Sequence, residues 1–302
     1  MENLERLLDL YRNDQRVASL VSLLQQPGNV RLQLLGLIGA QEAFVVSGTY
    51  LNDPRSHLLI ANDKEEAAYL QNDLAALLEE KTVRFFPDSF KNPMNFEVLS
   101  QANVLQRTET IDKISSVSSG GEIVVTYPEA LFEQVVNPGV LEQTRITISS
   151  GEELDVDFLI DLFTEYGFKR EDFVYEPGQY SIRGGIIDIF SYGNDYPYRV
   201  ELFDNEVESI RTFDPTSQLS QKNIARVSIV PNINTRFQRD QKVSLFRVLP
   251  QNTVIWVKDF QILLDKLQQC FEKAEEFSKT TMFLEEEELK EIFRDRAFIY
   301  PN

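Results

Sequence analysis

Short apolar runs recur along this chain with room for one helix between neighbours, and this alternation constrains the fold more than any other feature. His57-Leu-Leu-Ile-Ala, Thr82-Val-Arg-Phe-Phe, Glu122-Ile-Val-Val-Thr and Thr253-Val-Ile-Trp-Val each read as a buried strand, and Ala43-Phe-Val-Val reads as another. Helical spacing fills the intervals. Leu4, Leu7, Leu8 and Tyr11 fall at i, i+3, i+4 and i+7, and a second helical stretch runs from Val17 to Gln26 before Pro27-Gly28 stops it. Further helices are predicted over Lys64 to Glu80, Asn95 to Ile114, a short piece near Pro128, and Asp259 to Phe277. Strands alternating with helices predict a parallel α/β layer.

The alternation is interrupted once. Between about Thr144 and Val230, one helix (Leu154 to Tyr166) precedes segments of period two: Gln179-Tyr-Ser-Ile-Arg, Ile186-Ile-Asp-Ile-Phe, Tyr198-Arg-Val-Glu-Leu-Phe and Val207-Glu-Ser-Ile-Arg. Asp204-Asn205 is a turn signal between the last two. These segments predict antiparallel strands in an inserted α+β domain. The expected organisation is residues 1–143, a first α/β part; 144–231, the insertion; and 232–302, the return to the α/β layer. The tail from Glu285-Glu-Glu-Glu to Ala297-Phe-Ile-Tyr leaves the pattern unfinished, so a linker to a longer protein is expected.

The formal charge of -18 opposes DNA phosphate, and no dense Lys/Arg run offsets it. A 42 % apolar fraction with 21 Phe and 11 Tyr supplies a sizeable core. Cys270 alone forms no internal disulfide and reads as a buried thiol, and a single histidine, His57, excludes a histidine metal cluster. No signal peptide or membrane-length run is visible, so a soluble, cytoplasmic protein without cofactor or metal is expected.

Two segments invite a nucleotide reading. Leu34-Leu-Gly-Leu-Ile-Gly-Ala-Gln-Glu-Ala, read as lying between a helix and a strand, is placed like a P-loop, with Gly36 as first glycine and Gly39 internal. A working loop needs glycine, then lysine to neutralise phosphate, then a hydroxyl to hold magnesium. Gln41, Glu42 and Ala43 occupy those positions. The alternative is a helix-entry loop that was never a P-loop. Val254-Ile-Trp-Val-Lys-Asp resembles a Walker B strand, yet Lys258 stands where an acid should hold magnesium and Asp259 is the single carboxylate. A plain core strand with a polar end reads equally. No nucleophile–base pair can be assembled.

Glu176-Pro-Gly-Gln-Tyr-Ser-Ile-Arg-Gly-Gly-Ile-Ile-Asp-Ile-Phe, followed by Tyr198-Arg-Val-Glu-Leu-Phe-Asp-Asn-Glu-Val-Glu-Ser-Ile-Arg-Thr-Phe-Asp-Pro, resembles the inserted domain shared by UvrB and the transcription–repair coupling factors. The flanks agree, since Leu34 to Gly39 stands at the P-loop of UvrB and Val254 to Asp259 at its Walker B strand. Two departures favour the coupling-factor family. The P-loop is incomplete, and Phe85-Phe-Pro-Asp-Ser-Phe-Lys-Asn-Pro-Met, read as leading at once into a helix, is too short for the DNA-clamping hairpin of UvrB.

The resemblance implies a RecA/helicase-like parallel layer with a degenerate P-loop, carrying an inserted UvrA-interaction domain. It implies a non-catalytic scaffold that recruits UvrA in transcription-coupled nucleotide excision repair. The ATP-dependent DNA translocase and the contacts with RNA polymerase and DNA would belong to missing domains. UvrB arginines that bind UvrA fall on Arg170 and Arg183; a third falls on Ser181, and Lys169 is a candidate to share the role of Arg170. Strand alternation puts Gln179, Ser181 and Arg183 on one face and Tyr180 and Ile182 on the other. The competing reading makes Arg183 a solvated strand residue paired to Glu201 or Glu208. Two functional alternatives stay open: a UvrB-type helicase fragment with residual ATP binding, and a clamp on the C-terminal part of its own chain.

Overall fold

The computed structural model describes residues 2–28, 30–78, 82–92, 95–115, 121–192, 194, 196–230, 241–276 and 298–301. They fall into two compact units: 1–135 with 243–302, and 136–242. The acidic run at Glu285 and the residue Ala297 lie outside the described residues.

The first unit runs through α1 (Glu2–Arg12), α2 (Gln15–Leu24), β1 (Arg31–Leu34), α3 (Gln41–Asn52), β2 (His57–Ile60), α4 (Lys64–Leu77), β3 (Val83–Phe85), β4 (Phe90–Asn92), β5 (Asn95–Leu99), α5 (Gln101–Ser115), β6 (Ile123–Thr126) and α6 (Pro128–Phe132), reaching β7 (Val135–Val136). After the second unit it resumes from β16 (Lys242–Val243) with α9 (Leu245–Val248), β17 (Val254–Val257), α10 (Phe260–Glu276) and β18 (Phe298–Pro301). Its parallel sheet has the order β1-β18-β17-β2-β6-β3. Every residue of β2, β6 and β17 is buried. This is why those strands read as uninterrupted apolar runs, since both faces of a parallel sheet are covered. Helix starts follow local chemistry: Asp14 accepts from the Arg16 amide, and Asp63 from the Glu66 amide while the Glu66 carboxylate returns to the Asn62 amide.

Two expectations fail here. Ala43-Phe-Val-Val lies inside α3, so the glycine loop joins strand β1 to a helix. The helix is buried on several sides: Ala43, Val46, Ser47 and Thr49 are all in the interior, and the Tyr11 ring of α1 stacks on Phe44. A helix buried all round loses the polar stripe that marks its period. Gly48 belongs to the same packing, since a Cβ there would lie 3.3 Å from the Arg12 nitrogen of α1. The second failure is Asn95–Leu99, predicted as helix. It is strand β5, antiparallel to β4 with Asn92 opposite Asn95. A β4–β5 strand pair therefore stands where the sequence predicts an immediate helix.

The second unit contains α7 (Pro138–Gln143), β8 (Ile146–Ser149), α8 (Val156–Glu165), β9 (Lys169–Arg170), β10 (Gln179–Arg183), β11 (Ile186–Ile189), β12 (Tyr198–Phe203), β13 (Glu206–Phe213), β14 (Ser220–Ile224) and β15 (Arg226–Ile229). Strands β9 to β14 form one sheet in sequence order, antiparallel except for the β9–β10 pair. The turn at Asp204 takes φ +53°, as the Asp-Asn signal predicts. One face of the sheet packs Tyr180, Ile187, Ile189, Val200, Val207 and Ile210 against Leu159, Phe163 and Tyr166 of α8, with Ile148, Val227 and Ile229 of the β8–β15 pair completing the core. A smaller cluster holds Val174, Phe190 and Phe213.

Candidate functional site

In the first unit, Gly36 and Gly39 adopt φ of +80° and +57° in the loop between β1 and α3. The loop is closed by its own residues, because the Gln41 side-chain oxygen accepts the Ile38 amide at 2.9 Å. Glu42, on the first turn of α3, is buried and ion-paired to Lys258 at the end of β17. Lys258 also lies 3.7 Å from the Glu66 carboxylate. Asp259 accepts the amides of Gln261 and Ile262 at 2.9 and 3.0 Å, so its carboxylate caps α10. Ala43 is buried and brings no oxygen. The anion at the P-loop lysine position and the cation at the Walker B acid position thus neutralise each other.

His57 is fully buried on β2, where Nδ1 accepts the Trp256 indole N–H at 3.1 Å. Loss of hydration pushes its pKa down to about 3, so the ring stays neutral. Burial pushes the Cys270 thiol up to about 12, which leaves no reactive thiolate.

The second unit presents the cations. Lys169 and Arg170 are exposed on edge strand β9, and neither side chain has a hydrogen bond or ion pair among the described residues. Lys169 is in register with Gln179, and Arg170 with Tyr180. In-register neighbours project to the same face of a sheet, so Lys169 shares the face of Gln179 and Arg183 while Arg170 lies on the face of Tyr180. Tyr180 is buried in the core and Ile182 packs against it, as alternation predicts.

The Arg183 face is built rather than bare. Asp188 on β11 is fully buried and receives Arg183 Nη2 at 2.6 Å, together with Arg199 Nε and Nη2 at 2.7 and 2.9 Å. Asp188 raises the pKa of Arg199 by this pairing. Arg183 Nη1 donates to the Asp172 carbonyl and, at 2.9 Å, to the Ser181 hydroxyl. That hydroxyl in turn donates to the same carbonyl at 2.9 Å. The partner of Arg183 is thus Asp188, not Glu201 or Glu208; Glu201 pairs with Arg211. Ser181 is buried beneath Arg183, away from solvent. Phe173 covers the guanidinium, with its ring centroid 4.8 Å from Cζ, while remaining 48 % exposed itself.

Residues 146–234 match the family model described as the UvrB interaction domain. The transcription-repair-coupling factor of Bacillus subtilis (strain 168) is 31 % identical over 199 residues, covering 66 % of this chain and 17 % of that protein. Its counterpart in Staphylococcus haemolyticus is 32 % identical over 222 residues, covering 73 % of this chain and 18 % of that protein. The chain is a relative of the transcription-repair-coupling factors. It spans less than a fifth of the length of these curated relatives. The sheet β9 to β14, with Arg183 and Asp188, falls within the UvrB interaction domain match. Sequence reasoning missed Asp188, Asp172, Phe173 and Arg199. The signal was available for one of them: Asp188 interrupts Ile186-Ile-Asp-Ile-Phe, and a carboxylate in an apolar strand needs a cation close by.

Among the described residues, no helix is long and apolar enough to cross a membrane, and no group of His, Cys, Asp and Glu is arranged to hold a metal.

Proposed function

We propose that this chain is a protein-docking module that recruits UvrA in transcription-coupled nucleotide excision repair, and that it does no chemistry itself. The observation that carries this reading is the overlap of the UvrB interaction domain match with the sheet that presents Lys169 and Arg183 on one face. An Arg fork and an exposed Lys suit an acidic protein surface. Lys169 is the companion of Arg183 on its face, and Arg170 projects from the opposite face of the edge strand. In the full-length protein, the module serves an ATP-dependent DNA translocase that acts on stalled RNA polymerase, with polymerase and DNA reached through domains outside this chain.

The test is the affinity of the 302-residue chain for purified UvrA. Saturable binding that Arg183→Ala weakens supports the reading; no saturable binding overturns it.

The parallel unit fits a RecA/helicase-like layer whose nucleotide loop is degenerate. The strand–glycine loop–helix order supports that ancestry, and the Glu42–Lys258 pair supports the loss of function. Relative to a working site the charges are exchanged, with an anion in the lysine position and a cation in the acid position. Phosphate would meet the Glu42 carboxylate, and magnesium would meet Lys258. Calorimetry with magnesium and ATP is expected to show no saturable heat, and a dissociation constant tighter than about 1 mM refutes this part of the proposal.

A further inference from the structure

We infer that Asp188 is a positioning residue of the docking face: buried beneath the surface, it holds Arg183 in one orientation so that the guanidinium meets its partner already set. The inference rests on the UvrA-docking role of Arg183 proposed above and specifies how that residue is prepared.

Inner bonds and open donors divide the guanidinium between them. It has five N–H donors. One Nη2 hydrogen goes to Asp188, and the two on Nη1 go to the Asp172 carbonyl and the Ser181 hydroxyl. Nε–H and the second Nη2 hydrogen have no acceptor among the described residues. The side chain is 35 % exposed against 0 % for Asp188, so the bond to Asp188 anchors in the interior while the guanidinium-bearing side chain still meets the surface. Phe173 lies over the group and restricts it further.

A free arginine on a strand would lose much rotamer freedom on binding, and this one has lost it in folding. The donors that remain suit a carboxylate, and the exposed rim of Phe173 suits apolar surface beside it. The partner patch inferred is therefore an acidic side chain next to an apolar one.

Arg199 supplies the control. It engages both oxygens of Asp188 and has no bond to Arg183. Losing it removes a partner of Asp188 but leaves every contact of Arg183 in place.

The experiment measures UvrA affinity and thermal melting for the 302-residue chain carrying Asp188→Asn, Arg199→Gln, Arg183→Ala, and Asp188→Asn with Arg183→Ala. Arg183→Ala is expected to weaken binding about thirtyfold, and Asp188→Asn about tenfold with the fold retained. In the Arg183→Ala background, Asp188→Asn is expected to add less than about twofold, because its effect runs through the missing side chain. Arg199→Gln is expected to lower the melting temperature while changing affinity less than about twofold.

Parent-like binding by Asp188→Asn, with Arg183→Ala still weakened, overturns the positioning role and leaves the docking reading intact. Equal weakening by Arg199→Gln and Asp188→Asn overturns it too, since loss of stability then explains both. Parent-like binding by Arg183→Ala overturns the positioning role together with the docking role of Arg183. Should Asp188→Asn not fold, Ser181→Ala decides. It removes one inner acceptor, and at least about threefold weaker binding that disappears in the Arg183→Ala background supports the inference, whereas parent-like binding overturns it.

Discussion

Each unit buries a carboxylate against arginine, yet the two arrangements point to different ends. In the parallel unit, Glu133 accepts the Ser89 amide at 2.8 Å and the Ser89 hydroxyl, and lies 3.6 Å from Arg107. Arg107 is itself 1 % exposed, lies over Phe86, and donates to the carbonyls of Pro87, Ala130 and Glu133. That network stays in the interior, where Arg107 Nε has no acceptor among the described residues, and it ties together the segments that leave β3 and β6. In the antiparallel unit, Asp188 is buried as deeply, but one of its two arginines, Arg183, reaches the surface with a side chain 35 % exposed. Burial of the acid does not separate structure from recognition. The separation lies in whether the cation reaches the surface.

The largest effect expected from this contrast is on stability. Arg107→Ala strands Glu133 in the interior and should lower unfolding free energy by about 3–5 kcal/mol, read from urea unfolding. The folded variant should bind UvrA like the parent, and a clear loss of UvrA affinity would break the contrast. Arg183→Ala should divide its effect differently, with about 2 kcal/mol lost in UvrA affinity and about 1 kcal/mol in stability. Arg199 still satisfies both oxygens of Asp188, which is why the stability part is the smaller.

The Glu42–Lys258 pair tests a third situation, a bridge with one end sheltered and one end a third exposed. Glu42→Lys should cost about 1 kcal/mol of stability. Adding Lys258→Glu should recover most of it, because the double exchange restores opposite charges. A double-mutant cycle with no coupling would show that the pair contributes nothing.

The remaining effect is a slope with acid rather than a single loss, and it belongs to the parallel unit. His57 has a folded pKa of about 3, below its unfolded value of 6.5, so the unfolded chain binds the extra proton and stability falls as pH falls through that window. Asp88 runs the other way. Burial pushes its folded pKa up to about 6 from 3.8, so its contribution is present below 3.8 and lost as pH rises toward 6. The two slopes, each at most about 1.4 kcal/mol per pH unit, oppose each other between about pH 4 and 6. Asp88→Asn should therefore steepen the acid loss over that range. NMR of the lone imidazole should show no titration above about pH 4; a midpoint near 6.5 would mean that His57 is solvated.

Much of this was legible in the sequence because burial leaves a pattern. Strands buried on both faces, such as β2, β6 and β17, announce themselves as apolar runs, and β10 to β13 by alternation broken at Asp204. What escaped was structure whose pattern is masked by its surroundings. Helix α3 is apolar on too many sides to show a helical stripe. Strand β1 is four residues long with no fully buried position, so Arg31-Leu-Gln-Leu passes for a loop. Phe96-Glu97-Val98 alternates, but the helical period from Gln101 overran it. At the proposed docking face, the cations could be named from the resemblance. Asp188, Asp172 and Phe173 could not, because what they do is defined by strand register and by a loop folding back, neither of which a linear spacing records.

The place of β18 in the sheet has a consequence for synthesis on the ribosome. Among the described residues the only strand neighbour of β1 is β18, with Arg31 opposite Phe298 and Leu34 opposite Pro301. When β1 leaves the exit tunnel, the strand that will complete it has not yet been translated. At about 5–20 residues per second, the wait lasts on the order of tens of seconds. Throughout it the antiparallel unit has its own strands, contiguous in sequence, while β1 offers an open backbone edge. A nascent chain stalled before residue 298 would carry a finished insertion beside an unsealed sheet. Such an intermediate calls for chaperone protection of β1, and pulse proteolysis of ribosome-bound chains should find cleavage near Arg31 until the last strand emerges.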